Sequence, residues 1–140
     1  MNKFTVKRVE GEFGFEGTDE HGHSVKIDTS LETGGNNFGV RPMHMMLMGV
    51  GGCSGIDIVS ILKKQRITVN DFSMDITGQR EKGKEPSLWE SVHIKFNLHG
   101  DIDPDKAYRA CSLSIDKYCS VAETLRRAGT KITWEVEVIQ

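Results

Sequence analysis

Arg41-Pro42-Met43-His44-Met45-Met46-Leu47-Met48-Gly49-Val50-Gly51-Gly52-Cys53-Ser54-Gly55-Ile56-Asp57-Ile58-Val59-Ser60-Ile61-Leu62 is the stretch that decides the fold. Proline is at home in a helix's first turn, so Pro42 predicts a helix running to about Arg66. About 24 residues give about 36 Å of helix, enough to cross a small domain. Between Met43 and Leu62, Asp57 is the one acidic or basic residue of the Asp/Glu/Lys/Arg set. Apolar residues fall on every face, the pattern of a buried helix. Gly49, Gly51, Gly52 and Gly55 each weaken it by about 1 kcal/mol relative to alanine. Close approach of another helix or of a ligand around Cys53 is the expected compensation.

Outward from this helix the chain reads as strands. Phe4 and Val6, Phe13 and Phe15, and Val25 and Ile27 alternate with polar neighbours between Gly-bearing turns, which is the signature of a meander. Gly34-Gly35-Asn36-Asn37 is a loop. After the helix, Phe72, Met74 and Ile76 form one face of a strand, and Val92, Ile94, Phe96 and Leu98 one face of the next, joined by a charged hairpin at Arg80–Pro86. Asp103-Pro104 starts a second helix reaching about Tyr118. A short third helix ends at Ala128-Gly129. Ile132, Trp134, Val136 and Val138 close the chain as a strand. The order βββ-α-ββ-αα-β predicts one α+β domain over residues 1–140, with antiparallel strands packed on helices.

Composition narrows the partners. The 140 residues carry a net charge of -2, with 37% apolar and 27% charged residues, an ordinary soluble balance. So little positive charge argues against nucleic acid. The apolar run at Met45–Val50 is short and broken by glycines, which argues against a membrane span. The first residues lack the apolar core of an export signal, so three reduced cysteines in the cytoplasm are expected.

Those cysteines are the residues with chemistry to offer. Ser120-Val121-Ala122-Glu123 fits a capping box with Ser120 as N-cap, placing Cys119 at the positive end of a helix. That position lowers a thiol pKa; the competing reading is a small apolar residue wedged at a helix junction. Cys53 lies mid-helix, where backbone N–H groups are already bonded, and its thiolate needs a cation from elsewhere; alternatively it is a small core residue. Cys111, eight residues before Cys119, would lie about 12 Å away along a helix and reads as structural. There is no C-x-x-C pair, and His21, His23, His44, His93 and His99 are scattered, with His93 and His99 expected on a solvent-facing strand side. No metal is expected from these spacings. The absence of G-x-G-x-x-G after a strand, of a P-loop and of G-x-S-x-G leaves no expected cofactor.

Pro42 followed eleven residues later by Cys53, together with Tyr118-Cys119-Ser120-Val121, resembles the OsmC/Ohr family over essentially the whole chain. The resemblance is to its less characterised OsmC-like branch more than to its proven organic hydroperoxide reductases. It implies an OsmC-like fold, with sheets wrapped around long central helices in an intertwined homodimer. It implies peroxide reduction, with Cys53 attacking the O–O bond, Cys119 resolving the sulfenic acid, and a lipoyl-type dithiol restoring both. The chain departs from the family's peroxidases in having Met43 where they have a glutamate, and in having no arginine between residues 10 and 40. Arg8, Arg41 and His44 are the available substitutes to support the thiolate. Without such a cation the Cys53 thiol should be poorly reactive. The expected function is thiol-dependent reduction of organic hydroperoxides in oxidative-stress defence. The alternative is a non-catalytic dimer that senses redox state or binds a small apolar ligand in a pocket walled by Met43, Met45, Met46 and Met48.

Overall fold

The computed structural model describes residues 1–140. In chain order the elements are β1 (Thr5–Glu10), β2 (Gly14–Thr18), β3 (Ser24–Ile27), a 3-10 turn (Leu31–Thr33), α1 (Pro42–Lys64), β4 (Asp71–Arg80), β5 (Trp89–His99), α2 (Pro104–Leu113), a π turn (Ser114–Tyr118), α3 (Ser120–Arg127) and β6 (Lys131–Ile139). They form two compact units, Met1–Met46 and Leu47–Gln140.

The first unit is the expected meander: β1, β2 and β3 pair in sequence order, antiparallel, with Lys7 opposite Glu16 and Phe15 opposite Ile27. The loop after β3 is organised by the buried Asp28 carboxylate, which accepts from the Thr29, Asn36 and Phe38 N–H groups at 2.7, 2.9 and 3.1 Å. Those bonds, led by the one from Asn36, hold its carboxyl below the ordinary value. Phe4, Val6 and Val25 remain exposed on this unit.

The second unit holds the larger core. Its sheet runs β4-β5-β6, and the central strand β5 buries Val92, Ile94, Phe96 and Leu98 on one face. Helical residues Val50, Ile58 and Leu62 of α1, Ala107, Ala110 and Cys111 of α2, and Ala122 and Leu125 of α3 complete that core. On the opposite face, polar side chains pair across strands. His93 meets Thr133 Oγ1 and Glu135 Oε2, each at 2.7 Å, and Lys95 meets Glu137 at 3.2 Å. His93 is thus on the wetter side as expected, but held rather than free.

Two features go beyond the sequence reading. β4 and β5 are antiparallel, but β5 and β6 run parallel, joined by the α2–α3 crossover. Period-two alternation says which face a residue takes and nothing about the direction of the neighbouring strand. The second concerns α1, expected to be buried on every face. It is 23 residues long and apolar enough, by length and composition, to cross a bilayer, a property core helices share. Within one chain it buries Val50, Gly51, Ser54, Ile58 and Leu62, while Met48, Ile56 and Val59 stay exposed. Two of its glycines, Gly51 and Gly55, admit the sheet, while Gly49 faces Val121 of α3 and Gly52 meets nothing within 4 Å. A Cβ on Gly51 would stand 2.7 Å from Ile76 Cδ1 and 3.2 Å from Met74 Sδ, and one on Gly55 3.1 Å from Met74 Cε.

Gly51→Val should therefore destabilise the protein by about 1–3 kcal/mol through overpacking against β4. Gly49→Ala, whose added methyl meets Val121 Cγ1 at an ordinary 3.8 Å, should be neutral or stabilising by up to about 1 kcal/mol. Urea denaturation of the two variants reads this difference, and equal losses would contradict the close α1–β4 approach.

Candidate functional site

Cys53 sits half-buried in α1, and Asp57 comes one turn later on the same face. Facing them is the junction between α2 and α3. There the helix widens into the π turn, closed by the Cys119 N–H donating to the Ser114 carbonyl at 2.7 Å. Single π turns inside helices are frequent at functional sites, because the extra residue re-aims the next stretch of chain. Here that stretch begins with Cys119, in extended backbone (φ -73°, ψ 104°), before the first turn of α3. Arg126 donates to the Ile115 carbonyl of the π turn at 2.7 Å and pairs with Glu123 at 2.6 Å.

The fully buried Ser114 hydroxyl lies between the two halves, 3.0 Å from Asp57 Oδ2 and 3.3 Å from the Ser54 carbonyl oxygen. The result is a cluster in which Cys53 Sγ, Cys119 Sγ and a carboxylate oxygen of Asp57 all lie within 4.8 Å of one another. A hollow of about 550 Å³ lined by Asp57, Ser60, Ile61, Lys64, Leu113 and Tyr118 opens beside it. Cys111 is buried elsewhere in the core and takes no part; burial pushes its thiol up to about 12.

The helix start differs from the expected capping box. Cys119 itself is the N-cap, its sulfur accepting from the Ala122 N–H at 3.4 Å, and Ser120 is the first helical residue. Glu123 does not reach back, because Arg126 and Arg127 hold its two oxygens at 2.6 and 2.9 Å. The expected lowering of the Cys119 pKa is also overturned. Burial dominates, the Ala122 N–H offsets it in part, and the hydrogen bond with Cys53 adds to it, so the thiol is pushed up to about 11.

Of the residues singled out from sequence, the fold thus brings Cys53 and Cys119 together. Arg41, Met43 and His44 lie in the first unit at the opening of α1, and Arg8 in β1, whereas the cysteine cluster is built wholly by the second unit. Asp57 and Ser114 are site residues that the sequence reading does not single out. Asp57 carries a signal: it is the lone charge of an apolar helix, placed four residues after Cys53. Ser114 carries none, since a serine inside a helix is ordinary.

An α+β fold that sets two cysteines from separate helical elements in mutual contact defines a class of paired-thiol proteins. A family model described as OsmC-like protein matches residues 33–135, and the chain belongs to that family. It is 38% identical over 135 residues to protein YhfA of Escherichia coli, covering 96% of each chain. A hypothetical protein from Aquifex aeolicus superposes with a TM-score of 0.81 at 28% identity, over 100% of this chain and 98% of that one. The organic hydroperoxide resistance protein OhrB of Bacillus subtilis shares the fold, with a TM-score of 0.68 at 18% identity over 98% of each chain.

The raised Cys119 pKa has two consequences. An unfolded thiol ionises near 9 whereas the folded one stays neutral to about 11. The stability contributed by the neutral thiol is therefore full below about pH 9 and lost as pH rises through 11. Alkylation of Cys119 in the folded protein, read by mass spectrometry of its peptide, should keep accelerating through pH 10–11. A plateau near pH 9 would contradict burial control of this thiol.

Proposed function

We propose that this protein is a thiol-dependent organic hydroperoxide reductase of the OsmC family, working in the cytoplasm as a homodimer in oxidative-stress defence. The observation that carries the reading is the contact between Cys53 and Cys119, whose sulfurs lie within 4.8 Å. In this reading the side chains bring those sulfurs to bonding distance, about 2 Å, to close a disulfide.

The cycle balances in three steps. The Cys53 thiolate attacks the distal peroxide oxygen, the O–O bond breaks, and the alcohol leaves with a proton as Cys53 becomes a sulfenic acid. The Cys119 thiol attacks that sulfur, forming the Cys53–Cys119 disulfide and releasing water. A lipoyl-type dithiol reduces the disulfide by exchange and is itself oxidised to its cyclic disulfide. Cys119 is suited to the resolving role, because a thiol kept protonated does not compete as the first nucleophile.

In this reading the peroxide chemistry at Cys53 calls for a supporting cation, and the charged group in its cluster is the anionic Asp57. Arg8, Arg41 and His44 are this chain's candidates. A second copy of the chain fits the reading in another respect. The exposed Met48, Ile56 and Val59 of α1 border a groove of about 840 Å³ floored by Gly52, Gly55, Phe72 and Met74. An apolar face of this kind marks an association surface. Covering it with the same face of a partner helix completes the burial that the apolar residues on every face of α1 call for.

With a dithiol reductant, purified protein should consume organic hydroperoxide. Cys53→Ser should fall to background, and Cys119→Ser, given hydroperoxide without the dithiol, should stop after one equivalent with a sulfenic acid that dimedone traps. Alanine at Arg8, Arg41 and His44 in turn should identify the supporting cation by loss of rate. No hydroperoxide consumption under these conditions would refute the reductase. For the assembly, wild type should sediment as a dimer and Ile56→Glu as a monomer; a monomeric wild type would refute that part.

A further inference from the structure

Two thiols and a carboxylate converge at one point, and the same convergence serves a chemistry other than peroxide reduction. Cys53 Sγ, Cys119 Sγ and an Asp57 oxygen lie within 4.8 Å of one another, each on a different position of two facing helical elements. We propose that the reduced protein binds a divalent metal ion of the zinc class through Cys53, Cys119 and Asp57, with the fourth position open to the adjoining hollow.

Four observations carry this. The first is donor chemistry: paired thiolates select soft or borderline ions, and an added carboxylate oxygen favours zinc over the thiophilic monovalent copper. The second is spacing. Ligands about 2.0–2.3 Å from a tetrahedral zinc stand about 3.5–3.8 Å apart, so the cluster need close by only about 1 Å. The third is the surrounding shell. Ser114 holds Asp57 Oδ2 at 3.0 Å, and the Ala122 N–H points at Cys119 Sγ from 3.4 Å, the kind of hydrogen bonds that orient metal ligands. The fourth is charge and access. With both thiols deprotonated the cluster carries three negative charges, which a divalent ion reduces to one. The hollow of about 550 Å³ beside Asp57 supplies an entry path.

The ligands come from positions 53, 57 and 119, so no short spacing announces them; the fold assembles them. Binding releases the thiol protons: two thiols and a divalent ion give a dithiolate complex and two protons. The same sulfurs cannot then form a disulfide, so metal occupancy and the oxidised state exclude each other. The site does not depend on peroxide turnover, because it is read out on reduced protein without any peroxide.

The test is titration of chelator-treated, reduced protein with Co²⁺ as probe, monitored by the thiolate-to-cobalt charge-transfer absorbance, with Zn²⁺ added in competition. One ion per chain, displaced by zinc, is expected. Cys53→Ser and Cys119→Ser should abolish the band, Asp57→Asn should weaken binding about tenfold or more, and Cys111→Ser should leave it unchanged. Wild type oxidised to the disulfide should not bind. Far-UV circular dichroism checks folding of the serine variants, and Asp57→Asn, nearly isosteric, keeps the test independent of them. No charge-transfer band, binding unaltered in Asp57→Asn, or a band lost in Cys111→Ser would each overturn the site.

Discussion

Because the Ser114 side chain is completely buried, its hydroxyl has to find an acceptor inside the protein, and it finds two on α1: the Asp57 carboxylate and the Ser54 carbonyl. A buried donor left unpaired costs about 1–3 kcal/mol, so this contact fixes how α1 meets the α2–α3 junction. The π turn that begins at Ser114 then determines where the chain re-emerges, and it re-emerges at Cys119. The nearness of Cys53 and Cys119 is therefore a consequence of one polar contact and one widened helical turn. Arg126 reinforces the turn by donating to the Ile115 carbonyl while holding Glu123.

The two cysteines of the cluster sit in different surroundings. Burial keeps Cys119 protonated well beyond neutral pH, and the N–H donor at the start of α3 recovers only part of that penalty. A helix N-terminus does not by itself make a reactive thiol; desolvation can outweigh it. Cys53 is less buried than Cys119, and in the proposed readings it is the thiol that meets a hydroperoxide or a metal ion. Asp57, held by the Ser114 hydroxyl, is the charged group of the cluster, and in the proposed metal site it would serve as a ligand.

Much of the fold is legible in the sequence because its signals are local. Pro42 and the long apolar run set α1, alternation sets the strands, and Asp103-Pro104 sets α2, its N-cap accepting from the Asp105 N–H at 2.9 Å. The illegible part depends on contacts between distant segments. The parallel β5–β6 pairing is decided by the crossover through α2 and α3, not by any pattern within β6. Gly51 and Gly55 of α1 announce a close approach without naming the neighbour, which is Ile76 and Met74 of β4. At the site, both cysteines are legible from their motifs. The capping box expected at Ser120 does not form because Glu123 has two arginines within one turn, and an ion pair there competes with reaching back to the cap. Asp57 can be found from its isolation in an apolar helix; Ser114 cannot.

Whether Cys53 and Cys119 are a working redox pair is tested most directly by peptide mapping of non-reduced protein after one equivalent of an organic hydroperoxide. The expected result is a Cys53–Cys119 cross-linked peptide within one chain, with the protein lighter by two hydrogens and Cys111 still alkylatable. Free thiols at both positions after that treatment, or a disulfide engaging Cys111, would contradict it.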